Sequence, residues 1–205
     1  MTIAIFVTIW TAGMSAGDLD THFRSAPLEY LKAENAVHTV EIYTPETGDV
    51  PMLEDAPSPT IIIQIDMNDA VAAQALTQSE QFQQIFMNKN SYDPGAEKVN
   101  LEITEVIHFP LPGQESPPPR TAALSFVVRY YGPVKDHRKF VEMYTDGHPQ
   151  VLANFEGIRN VLCYLPLGWR ESGEILDETM IIGNEVVFDD LDAIRLALKS
   201  DIASQ

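Results

Sequence analysis

Four side chains in the second half of the chain, Arg129, Tyr131, Tyr144 and His148, are of the types that move protons and hold developing oxygen anions. Histidine titrates near neutrality, so His148 can take a proton from a carbon acid, enol or hydroxyl and return it. Arg129 can grip a carboxylate or an enolate oxygen through a forked pair of hydrogen bonds. Tyr131 or Tyr144 can donate to the same oxygen. Two have a plainer alternative: a histidine near a helix end, just before Pro149, is often a structural hydrogen-bond partner, and Arg129 can form a salt bridge to Glu185.

A repeat sets His148 apart. Leu19, Phe23, Ala26, Pro27 and Leu31 align with Phe140, Tyr144, Gly147, His148 and Leu152, and residues 36–45 align with 157–166, all at an offset of 121. The first copy has Pro27 where the second has the histidine, so one working site per chain is expected, in the second copy. Each copy reads as an apolar strand (3–10; 123–131), an amphipathic helix and a second strand (37–43; 158–165). A third strand follows (60–66; 179–187), then a helix opened by Asn68 or Asp69 in one copy and by Asp189 or Asp190 in the other. A fourth strand, 99–109, closes the first copy only.

This order is the split β-α-β pattern of ferredoxin-like domains, so the expected class is α+β: two tandem ferredoxin-like units with antiparallel sheets packed face to face. The boundaries follow as a degenerate copy over 1–110, a linker over 111–120 and the second copy over 121–205. Pro117, Pro118 and Pro119 keep the linker out of a central strand because three successive amide donors are missing.

Strand alternation then sorts the side chains. Leu124, Phe126, Val128 and Tyr130 form the apolar set that suits packing on helices, which leaves Ser125, Val127, Arg129 and Tyr131 on the other face. Asn160, Leu162 and Tyr164 in the next strand and Glu185 in the third join that second set, and the first copy supplies Thr8, Trp10, Thr39, Tyr43 and Gln64 at matching positions. Trp10, Tyr43, Asn160, Tyr164 and Glu185 are therefore expected to line a small-molecule cavity, with solvent exposure or simple core filling as the alternative.

The formal charge of −17 repels phosphate backbones and anionic membranes, and there is no basic run, so neither nucleic acid nor membrane is an expected partner. Residues 1–110 hold 4 basic and 16 acidic side chains, residues 111–205 hold 9 and 14, and the positive charge thus gathers in the copy with the histidine. The apolar run at the start has no Lys or Arg before it and fills the place of a strand, no stretch is long enough to span a bilayer, and the lone Cys163 suits a reducing compartment; the cytoplasm is expected. His22, His38, His108 and His137 show no metal-ligand spacing, and there is no Gly-rich phosphate loop or Gly-x-Ser-x-Gly elbow. Neither metal nor other cofactor is expected, haem on a lone histidine being the alternative. The loops 45–59 and 166–178, with Trp169 in the second, are candidate lids or dimer contacts.

The run Phe126-Val-Val-Arg-Tyr-Tyr-Gly-Pro133, followed by Phe140 and by a Tyr-x-x-x-His-Pro pattern from Tyr144 to Pro149, resembles the EthD family, named for ethyl tert-butyl ether degradation. The likeness covers about residues 121–200. It implies a dimeric α+β barrel, here a pseudo-dimer within one chain, and relatives that act on small hydrophobic or polyketide-like molecules without metals. Tyr144, His148 and Pro149 match the motif, whereas the first copy departs from it at Pro27. The second copy ends without a closing strand, an edge that a homodimer could cover. The expected function is a small-molecule isomerase, dehydratase or other lyase with His148 as acid and base. The alternatives are a cofactor-free monooxygenase and a non-catalytic module that binds a metabolite or stabilises a partner.

Overall fold

The computed structural model describes residues 1–46, 58–120, 123–167 and 180–200. Among them the chain forms two units, one running to Glu105 and the other from Val106 onward. The loops 45–59 and 166–178 lie largely, and Trp169 wholly, outside the described residues.

The first unit contains β1 (Thr2–Thr11), α1 (Ala16–Phe23), α2 (Ala26–Ala33), β2 (Val37–Tyr43), β3 (Ile61–Met67), α3 (Ala70–Gln78), the short α4 (Glu80–Phe82) and β4 (Ala96–Phe109). Its strand order is β2-β3-β1-β4, with β1 and β2 antiparallel to β3. This is the ferredoxin-like order. Ile3, Ile5, Val7 and Ile9 of β1 share a face with Ile61, Ile63, Ile65 and Met67 of β3, and all are buried. The other face of β1 is buried too, at Ala4, Phe6 and Thr8, so the strand reads as a nearly continuous apolar run rather than an alternating one. Phe23 stacks on Phe86 with ring centroids 5.8 Å apart.

Where one helix was expected between β1 and β2, there are two. Pro27 has no amide to bond back into the preceding turn, so α1 ends at Phe23, Arg24 caps it, and α2 starts afresh with the proline in its first turn, where its missing donor costs nothing. Asp69 is the cap of α3, its carboxylate accepting from the amides of Val71 and Ala72.

The second unit contains β5 (Leu124–Tyr131), α5 (His137–Leu152), β6 (Asn160–Pro166), β7 (Met180–Phe188) and α6 (Leu191–Leu198). Its strands follow the order β6-β7-β5, the counterpart of β2-β3-β1, with β5 and β6 antiparallel to β7. The first unit ends inside β4, short of the boundary at 110 that the sequence suggests, because Ile107 and Phe109 pack on the second unit's core around Val141, Cys163, Leu165, Ile181 and Ile182. Residues 111–120 form no strand or helix, yet Leu111 packs on a second core cluster that includes Val186, Phe188 and Ile194.

The helix α5 does not stop near His148 but passes through Pro149 to Leu152. The proline removes the amide that would bond to the Thr145 carbonyl, and the Gln150 side chain donates to that carbonyl instead, at 3.4 Å. Asp136 opens the helix by accepting from the Lys139 amide, and Asp190 opens α6 by accepting from Ala193. Gly147 lies within α5, and a Cβ built there meets nothing within 4 Å. Gly147→Ala should therefore raise stability by about 0.5–1 kcal/mol, measured as a shifted denaturation midpoint, through lost freedom of the unfolded chain and better helix propensity.

Candidate functional site

Three elements of the second unit converge on one cavity. Phe126, Val128 and Tyr130 reach it from β5, and Asn184, Val186 and Phe188 from β7; these are cross-strand neighbours on one sheet face, since Val128 stands opposite Asn184 and Phe126 opposite Val186. His148, Val151 and Leu152 of α5, the adjoining Phe155, and Ile194, Ala197 and Leu198 of α6 complete the wall. The space is about 170 Å³. Among the described residues its lining is apolar except for His148, Asn184 and the Tyr130 hydroxyl, with no Lys, Arg, Asp or Glu.

At the polar part of this wall the aromatic rings are nested. The His148 and Tyr144 rings lie 4.6 Å apart, Tyr144 and Tyr130 5.4 Å, and Phe140 sits 6.2 Å from both tyrosines. The Asn184 amide donates to the Tyr144 hydroxyl, fixing that ring against the histidine. Burial lowers the basicity of His148 below the ordinary imidazole value, so its neutral form is favoured, and a neutral imidazole has a lone pair with which to accept a proton. Burial, and then the neighbouring Tyr130, pushes the Tyr144 hydroxyl above the ordinary phenol range. The Tyr144 hydroxyl is therefore held in its protonated form.

Arg129, Asn160, Tyr164 and Glu185 stand on the opposite face of the same sheet. Glu185 is opposite Val127 and Leu162, and Arg129 and Tyr164 are both opposite Gly183, which puts this set on the face remote from α5 and α6. There the buried Glu185 carboxylate accepts from the Tyr164 and Ser125 hydroxyls, with the Arg120 guanidinium 3.5 Å away. Asn160 donates to the Pro118 carbonyl at 2.9 Å, while its own buried Oδ1 has no hydrogen-bond partner among the described residues. Tyr131 follows a register shift at the end of β5 and is exposed. Trp10 and Tyr43 belong to the first unit: Lys98 lies over the Trp10 ring at 5.2 Å, and the Tyr43 hydroxyl donates to Gln64 at 2.8 Å.

The residues that the sequence grouped around one interior are thus divided by the sheet. A side chain on α5 reaches only the sheet face against which its helix packs, whereas the set chosen by strand alternation faces the other way. Tyr144 and His148 are brought together; Arg129, Asn160, Tyr164 and Glu185 are not brought to them. Tyr43–Gln64 and Tyr164–Glu185 stand 121 positions apart and make the same hydroxyl contact, once to an amide and once to a carboxylate. Two participants went unread. Asn184 is the polar neighbour of Glu185, and two adjacent polar residues in a buried strand must face opposite sides, a signal available in the sequence. Arg120 sat in the expected linker, and nothing in its spacing tied it to Glu185.

Cys163 is fully buried in β6, and burial pushes its thiol up to about 12. The folded protein should resist iodoacetamide at pH 8, with alkylation appearing only on addition of denaturant, as read by mass spectrometry. Among the described residues no three His, Cys, Asp or Glu side chains are placed to share a metal ion, and no helix is long and apolar enough to cross a membrane.

Comparison with solved structures shows the fold. The chain is similar to an anthrone oxidase-like protein (TM-score 0.62, 12% identity, 100% of this chain and 79% of the other) and to a candidate monooxygenase from Fusobacterium nucleatum (0.54, 14%, 99% and 82%). An EthD family protein from Bacillus halodurans also appears among the neighbours, over 51% of this chain and 98% of its own, at a TM-score of 0.39 and 10% identity. No protein-family model and no curated protein matches the sequence. At these identities the likeness to the first two speaks for a shared fold and for nothing finer.

Proposed function

We propose that the second unit is an enzyme site in which His148 abstracts a proton from a small hydrophobic, oxygen-bearing molecule and returns it elsewhere, the chemistry of an isomerase, dehydratase or other lyase. The observation that carries this is a neutral-favoured imidazole on the wall of a largely apolar cavity, 4.6 Å from a tyrosine ring that Asn184 holds in place. A base in such a place is partly shielded from bulk water, and the imidazolium it forms lies beside the Tyr144 ring, centroids 4.6 Å apart. The substrate proton passes to the imidazole and then to another substrate atom, so the cycle needs no external oxidant or reductant.

A second reading is favoured by the whole-chain likeness to proteins named as a candidate monooxygenase and an anthrone oxidase-like protein. In it the deprotonated substrate carbon is oxidised by molecular oxygen: a CH₂ group and O₂ give C=O and water, with the substrate as sole reductant. The homodimer is proposed on the position of β5 at the end of the second unit's strand order, where a second copy can add its own strand.

Solvent-deuterium exchange separates the readings. Exchange into a bound ketone or phenol in the absence of oxygen, lost in His148→Ala, supports the proton-transfer enzyme. Oxygen uptake matched one to one with substrate supports the second reading. Ligand binding with neither exchange nor uptake would leave a binding module.

A further inference from the structure

The cavity beside His148 restricts what can enter it, in size, in charge and at one end in hydrogen bonding. Resting on the reading of this cavity as the substrate site, we propose that it takes a neutral molecule of a single six-membered ring bearing one hydroxyl or enol oxygen, a phenol in the simplest case, with that oxygen at the His148–Asn184 end.

Size is the first restriction. The cavity measures about 170 Å³, and an engineered apolar cavity of about 150 Å³ holds one benzene. One ring with a small substituent therefore fills the space, whereas a fused three-ring compound needs roughly twice the volume and would leave much of its apolar surface outside the cavity.

Charge is the second. None of the described lining residues carries a cation, and Arg129 stands on the opposite face of the sheet. A carboxylate entering this space would lose its hydration and find no guanidinium or ammonium to replace it. His148 does not fill that role, because its burial favours the neutral ring. Ring acids are thus rejected.

The third restriction is polar. His148, Asn184 and the Tyr130 hydroxyl interrupt a lining otherwise made of Phe, Val, Leu, Ile and Ala. Asn184 is 3% exposed, and it already donates to Tyr144. A hydroxyl placed there meets an imidazole acceptor and an amide, whereas a methyl group in the same place leaves both facing apolar surface.

The test is a ladder of four probes on the full-length protein, read by calorimetry or ligand-observed NMR: phenol, toluene, benzoate and anthrone. Phenol should bind about tenfold more tightly than toluene, the value of one good hydrogen bond. Benzoate should bind at least about a hundredfold more weakly than phenol, and anthrone should not compete. In Asn184→Leu, checked for folding by thermal melting, the preference for phenol over toluene should shrink to about threefold or less. If that variant does not fold, the wild-type ladder decides alone. Equal affinity for phenol and toluene, preference for benzoate, tight binding of anthrone, or no binding of any ring would each overturn the assignment. Phenol bound without exchange or turnover would defeat the catalytic reading and leave the ligand class standing. Turnover of a larger substrate with no single-ring probe bound would do the reverse.

Discussion

Replacing His148 with alanine should lower turnover by about 10²–10⁴-fold, the usual range for losing a positioned acid or base, with ligand binding changed far less. His148 is only half-buried, and its ring contact is with Tyr144, so the variant should fold. The pH dependence gives a second handle. Burial holds the folded imidazole's pKa below the ordinary value of about 6.5. A wild-type rate that depends on the neutral ring should therefore stay flat through neutrality and fall on an acid limb below pH 6.5. Stability should follow the same sign. Above about pH 6.5 the histidine is neutral in both folded and unfolded chains and contributes no pH dependence. As pH falls below that value the unfolded chain takes up a proton that the folded one resists, so stability declines until the folded value is passed. His148→Ala should remove both effects. An acid limb that survives in the variant would assign the titration to another group and sink His148 as the base.

The second large effect is expected on the opposite face of the sheet. Glu185→Ala removes the acceptor of the Tyr164 and Ser125 hydroxyls and the partner of Arg120 together from a buried site; a loss of about 3–5 kcal/mol in unfolding free energy is expected. Glu185→Gln should cost only about 1–2 kcal/mol, because an amide oxygen can still accept from Tyr164. The first unit demonstrates the geometry: Gln64, at the matching position, accepts from Tyr43 at 2.8 Å and donates an amide N–H to Asp66 at 2.8 Å. Denaturant melts of the two variants would check this. Equal losses would mean that the negative charge itself, and not the accepted hydrogen bonds, holds the cluster.

Much of this was readable from residue types alone, and the parts that were not share a cause. The two faces of β5 were separable because Phe126, Val128 and Tyr130 differ in kind from Ser125 and Arg129, and a period of two follows from the backbone whatever the tertiary fold. The caps Asp69 and Asp190 were among those expected, since only a short acceptor at that position can answer the first helical amides. The side of the sheet on which His148 falls was not readable, because it depends on how α5 is laid over β5 and β7, a matter of packing between distant segments. The division of the first copy's helix was hidden for a local reason. Pro27 and Pro149 sit one position apart in the alignment, yet one starts a helix and the other is carried inside one, with Gln150 making up the missing bond. Arg120 was missed because a proline-rich run looks like a spacer, although its last residue ends beside a buried carboxylate.

The path of β4 bears on how the chain can be dissected. Its residues to Glu105 count with the first core, whereas Ile107 and Phe109 are pressed into the second. The proline-rich segment after it, the obvious place to cut, lies downstream of both. A fragment beginning at 111 would leave part of its own interior behind, so the halves are not interchangeable cassettes, and shuffling them at that point would transplant a fold with a piece missing.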